Sequence, residues 1–130
     1  MKPCFSAGAP KAIGSYSHAI RTGNLFFCSG QTPLDASSMR IDSLDLGAQT
    51  LRAIQNLESI LAAVELNLAN VVKTNVYLSD MSLFSEMNAV YARSFGKHQP
   101  ARTTVAVKGL PCGALVEIEC IAEFAESGGK

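Results

Sequence analysis

The chain has 130 residues, enough for one domain whose core needs no metal or disulfide staple. Hydrophobic residues make up 48% of it, which excludes a disordered chain and leaves apolar surface spare for a subunit contact. Eleven basic residues cancel eleven acidic ones, so electrostatics supplies no case for nucleic acid or an anionic membrane as partner.

Met1 to Ser6 is too short and too polar for a secretion signal, and no stretch approaches a membrane span. Cys4, Cys28, Cys112 and Cys120 show neither a C-x-x-C pair nor zinc-ligand spacing with the two histidines. Free thiols fit a reducing intracellular compartment, the cytoplasm first and an organelle as the alternative. Residues 9–20 begin as a loop and become extended from Tyr16 to Ile20. Gly23-Asn24 is a hairpin turn signal leading into a strand from Leu25 to Ser29. Gly30 to Pro33 closes that strand, and a polar loop runs on to Asp45. Leu46 to Leu66 reads as a helix, because Leu46, Leu51, Ile54, Leu57, Leu61 and Val64 recur at three- to five-residue steps. Asp42, Ser43 and Asp45 are its candidate caps. Val71 to Leu78 is rich in β-branched residues and reads as a strand. A second helix is expected after Ser79, capped by Ser82, with Phe84, Met87, Val90, Tyr91 and Phe95 as its buried stripe. It ends at Gly96 to Pro100, a loop expected to leave His98 solvated.

Pro100 to Glu123 reads as a β-hairpin. Thr103, Val105 and Val107 alternate with Arg102, Thr104 and Ala106; Lys108 to Ala114 breaks the pattern as a turn would. Alternation resumes with Val116, Ile118 and Cys120 facing one way and Glu117 and Glu119 the other. A core cannot take an unpaired guanidinium, so Thr103, Val105 and Val107 are expected to join Val116, Ile118 and Cys120. Arg102, Thr104, Glu117 and Glu119 then share the opposite face. Cys28 and Cys120 read as small core residues, and residues 126–130 as a frayed tail. The order β-β-α-β-α-β-β implies an α+β fold: a two-layer sandwich in which two helices cover one face of a single mixed sheet, over a single domain 1–130. The other face is either solvated or packed on copies of itself.

Arg102 offers a planar fork suited to a carboxylate, and equally to an interface or surface ion pair, with Glu119 a candidate partner. Glu117 has the chemistry to orient or deprotonate a water if burial raises its pKa; a structural ion pair is the other reading. There is no Gly-rich phosphate loop, dinucleotide fingerprint or metal-ligand cluster, so no metal and no cofactor is expected. His18 has no triad partner in the sequence.

The segments APKAIGSYSHAI, GNLFFCSGQTPLD, NVVKTNVYLSDM, FSEMNAVYARSF, PARTTV and VEIECIA, spanning about residues 9 to 124, resemble the RidA (YjgF-type) family of reactive-intermediate deaminases in order and spacing. The resemblance implies a chorismate-mutase-like fold and a homotrimer with clefts between subunits. It further implies cofactor-free hydrolysis of 2-imino acids, and of enamines such as 2-aminoacrylate, to 2-oxo acids and ammonia. Arg102 would grip the substrate carboxylate and Glu117 would serve the water, with Tyr16 assisting proton transfer. Ser29, Gly30, Asn88 and Thr104 would line the cleft, although scaffold roles stay open for Tyr16, Ser29 and Asn88. Thr104 stands where many members carry Cys or Ser, Ser15 replaces a frequent Pro, His18 a frequent Gln, and Glu65 a helix-ending Gly. A non-catalytic trimer binding small 2-oxo acids is the alternative reading, and a ribonuclease or translation inhibitor a third.

Overall fold

The computed structural model describes residues 1–125; the expectation about the tail lies outside them. Six strands form one mixed sheet: β1 Lys2–Cys4, β2 Ala19–Thr22, β3 Leu25–Gln31, β4 Val71–Leu78, β5 Ala101–Ala106 and β6 Val116–Glu123. Two helices, α1 Leu46–Ala62 and α2 Phe84–Phe95, cover one face of it. The strand order is β1-β2-β3-β6-β4-β5, with β4 and β5 parallel and every other pair antiparallel. This is the expected α+β sandwich with one more strand, β1, which pairs with β2 at the sheet edge.

Local chemistry accounts for most element boundaries. Gly23 takes φ 58° in the two-residue turn joining β2 to β3, where a Cβ would be disfavoured. Asp45, of the three candidates, caps α1 by accepting the Ala48 N–H at 2.9 Å. The helix stops four residues earlier than its apolar pattern suggests. Leu66 N–H returns to the Leu61 carbonyl and Glu65 N–H to that of Ala62, a Schellman closure that puts Glu65 at φ 63°. Leu51 lies outside the buried stripe and is 45% exposed, because Thr50, Ala53, Ile54 and Leu57 take the core side instead. Before α2, Asp80 rather than Ser82 is the cap. It accepts the Ser82 N–H at 2.8 Å and starts a 3-10 turn, Met81–Leu83, that runs into the helix.

The expected hairpin between β5 and β6 does not exist: β4 lies between them, parallel to β5 and antiparallel to β6. The connecting loop is long enough to step across one intervening strand, about 10 Å for two strand spacings. It is tied to the end of β4 by Val107 N–H on the Leu78 carbonyl (2.8 Å) and Ser79 N–H on that of Leu115 (3.0 Å). The facing of β5 is reversed as well. Arg102 pairs with Thr74 and Thr104 with Val76, both wholly buried under the helices, so Arg102 and Thr104 share the covered face with Val116, Ile118 and Cys120. Thr103 and Val105 share the uncovered face with Glu117 and Glu119. A strand at the sheet edge can turn a guanidinium toward the helices and still reach solvent, which a strand in mid-sheet cannot.

The core between the layers holds Phe26, Ile54, Leu57, Ile60, Leu61, Leu78, Met87 and Ile118, all under 2% exposed. Cys28 and Cys120 are buried, as expected, and are register partners across β3 and β6. A hydrogen bond to Cys120, then burial, drives the Cys28 pKa far upward. Among the described residues no helix is long and apolar enough to cross a membrane.

Candidate functional site

The uncovered sheet face carries an open cleft of about 630 Å³ at its β3–β6 end. Its floor is made by a β-bulge. Between the Cys28–Cys120 and Gln31–Ile118 pairs, β3 has one residue more than β6, so Ser29 and Gly30 bow out of register. Buried Gln31 holds the bulge by donating from Nε2 to the Gly30 carbonyl at 3.2 Å. The carboxylate of Glu117 lies directly on the Gly30 backbone: a Cβ at Gly30 would run into Glu117 Oε2 and stand 3.1 Å from Cδ. Gly30 is therefore needed for close approach. Ser29 Oγ donates to the Ser17 carbonyl at 2.7 Å, which fastens the loop before β2 against the bulge.

That loop brings Tyr16 and Lys11 to the same cleft, and Pro111 and Cys112 close its other side. Tyr16 is 47% exposed, its hydroxyl accepting only a long hydrogen bond, 3.3 Å, from Ile13 N–H. Burial raises the pKa of Glu117 above the ordinary carboxylate value, and the charge of Glu119 raises it further. Glu119 accepts from Asn75 Nδ2 at 3.0 Å. Tyr77, opposite Glu117 in the register, has its phenol pKa raised by burial and then by the two glutamates. It stays a neutral donor. Asn75 and Tyr77 were missed in the sequence, although their period-two spacing with Lys73 marks them as uncovered-face residues once β4 is placed beside β6.

Arg102 is elsewhere. It lines a second cleft, about 360 Å³, with Asn88, Tyr91, His98 and Gln99, on the helix side of β5. Arg102 Nη1 donates to Asn88 Oδ1 at 2.8 Å, and the guanidinium carbon lies 4.7 Å from the Tyr91 ring centre and 5.4 Å from that of Phe84. Tyr91 is held in turn by a 2.7 Å hydrogen bond with Thr74. The ion pairs among the described residues join Arg52 to Asp35 and Asp42, and Arg102 takes part in none. Thr104 Oγ1, two residues along the strand, is buried with no hydrogen-bond partner. So Asn88 orients the arginine, and Arg102, Asn88 and Thr104 form one group while Glu117, Tyr16, Ser29 and Gly30 form another on the opposite side of the sheet. The expectation that Arg102 and Glu117 share a face fails because β4 separates their strands and the register sets them out of phase.

Neither histidine is free for chemistry. Ser6 N–H donates to His18 Nδ1 at 2.8 Å, which leaves Nε2 protonated and donating to the Pro10 carbonyl at 2.7 Å. His98, expected in solvent, instead packs at 2.6 Å from Nε2 to the Val71 carbonyl. Among the described residues no group of three His, Cys, Asp or Glu is placed to hold a metal.

The model of the endoribonuclease L-PSP family matches residues 6–124. The chain belongs to this family, which includes the RidA and YjgF proteins. A RutC family protein of Pyrococcus horikoshii is 46% identical over 118 residues, covering 91% of this chain and 94% of that protein. The crystal structure of RidA from the Antarctic bacterium Psychrobacter sp. PAMC 21119 superposes with a TM-score of 0.91 at 35% identity, over 95% of this chain and 100% of the other. Escherichia coli TdcF, crystallised with bound serine, superposes with a TM-score of 0.91 at 31% identity, over 96% and 100%. The fold of this L-PSP family chain is thus that of solved relatives along nearly its whole length.

Proposed function

We propose that this protein is a cofactor-free deaminase that hydrolyses reactive 2-imino acids of the 2-iminopropanoate and 2-iminobutanoate type, and the enamines that tautomerise to them. The products are a 2-oxo acid and ammonia. The observation that carries the reading is the division of the two groups: an arginine oriented by Asn88 but lacking a carboxylate, and a glutamate of raised pKa in an open cleft. Each is half a site. A second copy that brings its β5 edge to this uncovered face completes it, and the exposed apolar residues Phe27 and Val105 on that face support such packing. A homotrimer of this kind closes three equal clefts.

In that cleft the Arg102 fork takes the substrate carboxylate by two parallel hydrogen bonds. The Thr104 hydroxyl lacks a partner within its own chain and supplies one more polar contact. The C=N carbon then faces a water held by Glu117 over Gly30. Glu117 takes a proton from the attacking water and passes it to the imine nitrogen, giving a carbinolamine; it then moves the hydroxyl proton to the amine, so that the carbonyl forms and ammonia leaves, with Tyr16 bridging the transfers. The substrate is already reactive, so positioning and one proton shuttle suffice. TdcF crystallised with serine supports a small amino or imino acid as the ligand class.

The same relative favours a second reading, a trimer that binds small carboxylates without turnover. Glu117 separates the two, since a pure carboxylate binder gains nothing from an anion beside its ligand. The test is release of 2-oxo acid from freshly generated imino acids, with Arg102→Ala and Glu117→Gln beside the wild type. Acceleration lost in both variants supports the deaminase. Binding of 2-oxo acid that survives or tightens in Glu117→Gln, with no acceleration by wild type, supports the binder. A light-scattering mass of one subunit would remove the shared cleft from either reading.

A further inference from the structure

The two glutamates of β6 face the same way but are held differently. Glu119 receives Asn75 Nδ2 at 3.0 Å, directly across the Asn75–Glu119 register pair. Glu117 receives no such donor among the described residues; it is pressed onto the Gly30 backbone in the cleft, where burial and the Glu119 charge both favour its protonated form. The two carboxylates are one two-residue strand step apart, roughly 7 Å.

We infer that Glu119 is a positioning residue: anchored by Asn75, it is a fixed negative charge that sets the pH at which Glu117 takes up and releases its proton. This rests on the reading of Glu117 as the proton-transfer group. It also separates the roles of the two glutamates: both line the cleft, but Glu117 is the one that lies on the Gly30 backbone at its floor. The other charged and titratable groups facing Glu117 are few. Tyr77 stands opposite on β4, Lys11 and Tyr16 come from the loop before β2, and Cys112 from the loop before β6. β3 contributes only backbone at Gly30. Lys73, also on β4, is turned to Thr103 Oγ1 at 3.3 Å. In the proposed assembly Arg102 of a neighbouring copy joins them and lowers the same proton affinity that Glu119 raises, so the two charges bracket it.

The test is carboxyl-carbon NMR titration of Glu117 in the wild type, Glu119→Gln and Glu119→Asp, with the pH profile of kcat/KM for imino acid hydrolysis measured on the same samples. Gln keeps an acceptor for Asn75 while removing the charge, and Asp keeps the charge. Glu119→Gln should move the Glu117 midpoint down by roughly half a pH unit, the Coulomb scale for such a pair at a solvent-touched face. The acid limb of kcat/KM should follow, KM on the plateau should hold, and Glu119→Asp should restore wild-type behaviour. An unmoved Glu117 midpoint in Glu119→Gln overturns the inference. So does a loss of kcat that is equal at every pH, which would make Glu119 a catalytic group itself. If the wild type hydrolyses no imine, the proposed reaction falls while the titration still decides whether Glu119 controls Glu117.

Discussion

Gly30→Ala isolates the contact on which the cleft is built. The backbone at Gly30 is not in the left-handed region, so alanine brings no backbone strain there. The nearest atoms the new methyl meets are those of the Glu117 side chain: it overlaps Oε2, with Cδ at 3.1 Å and Cγ at 3.3 Å. The carboxylate must swing away through its own torsions, at a cost of about 1 kcal/mol for an off-rotamer side chain. Urea unfolding should therefore show a loss of roughly that size, with the slope unchanged. The effect on turnover should be far larger. A displacement on the order of 1 Å of the group that serves the water costs about 100-fold in kcat. KM should change little, because the carboxylate grip belongs to Arg102. Turnover kept within a few-fold of wild type would refute the placement of the reactive carboxylate over Gly30. A stability loss above about 3 kcal/mol would instead show that the bulge is packed backbone to backbone.

Glu117 also has a signature in stability. Its folded pKa is raised by burial and by Glu119, so its contribution is fully present below the ordinary glutamate range and is lost as pH rises through the folded value. Glu117→Gln should accordingly be more stable than wild type at neutral pH, with the gap closing in acid, as read from urea midpoints at both. Thr104→Val replaces a buried hydroxyl that has no partner in its own chain with an isosteric methyl. Stability should rise by about 1 kcal/mol in chemical denaturation while KM for the imino acid increases. Glu65→Gly relieves a left-handed residue at the end of α1. After the greater chain entropy of glycine is subtracted, a gain of roughly 0.5–1 kcal/mol is expected in the same assay.

Much of this molecule was readable from local pattern. The two helices, the Gly23-Asn24 turn, β4, and the alternation of β5 and β6 each follow from the spacing of apolar residues against turn formers, and the structure keeps them. The motif around Glu117, with Gly30 and Tyr16, was also legible, and those residues line one cleft. The failures have one physical origin. Alternation states that two sets of side chains point opposite ways; it does not state which set faces the core, nor which strand is the neighbour. For β5, the edge position and the parallel pairing with β4 turned Arg102 and Thr104 toward the helices, where Asn88 and Tyr91 receive the guanidinium. The rule that a guanidinium avoids a covered face fails at an edge, because solvent still reaches it there.

Sequence by itself determined the two helices, five of the six strands, most of the core stripes and the inventory of reactive groups, since each depends on interactions within a few turns or a few strand residues. Tertiary structure alone decided three things. It inserted β4 between β5 and β6, it anchored Glu119 but not Glu117 to Asn75, and it set Arg102 and Glu117 on opposite sides of one sheet. All three are matters of register between strands distant in the chain, and register is settled by the packing of whole faces rather than by any local run of residues.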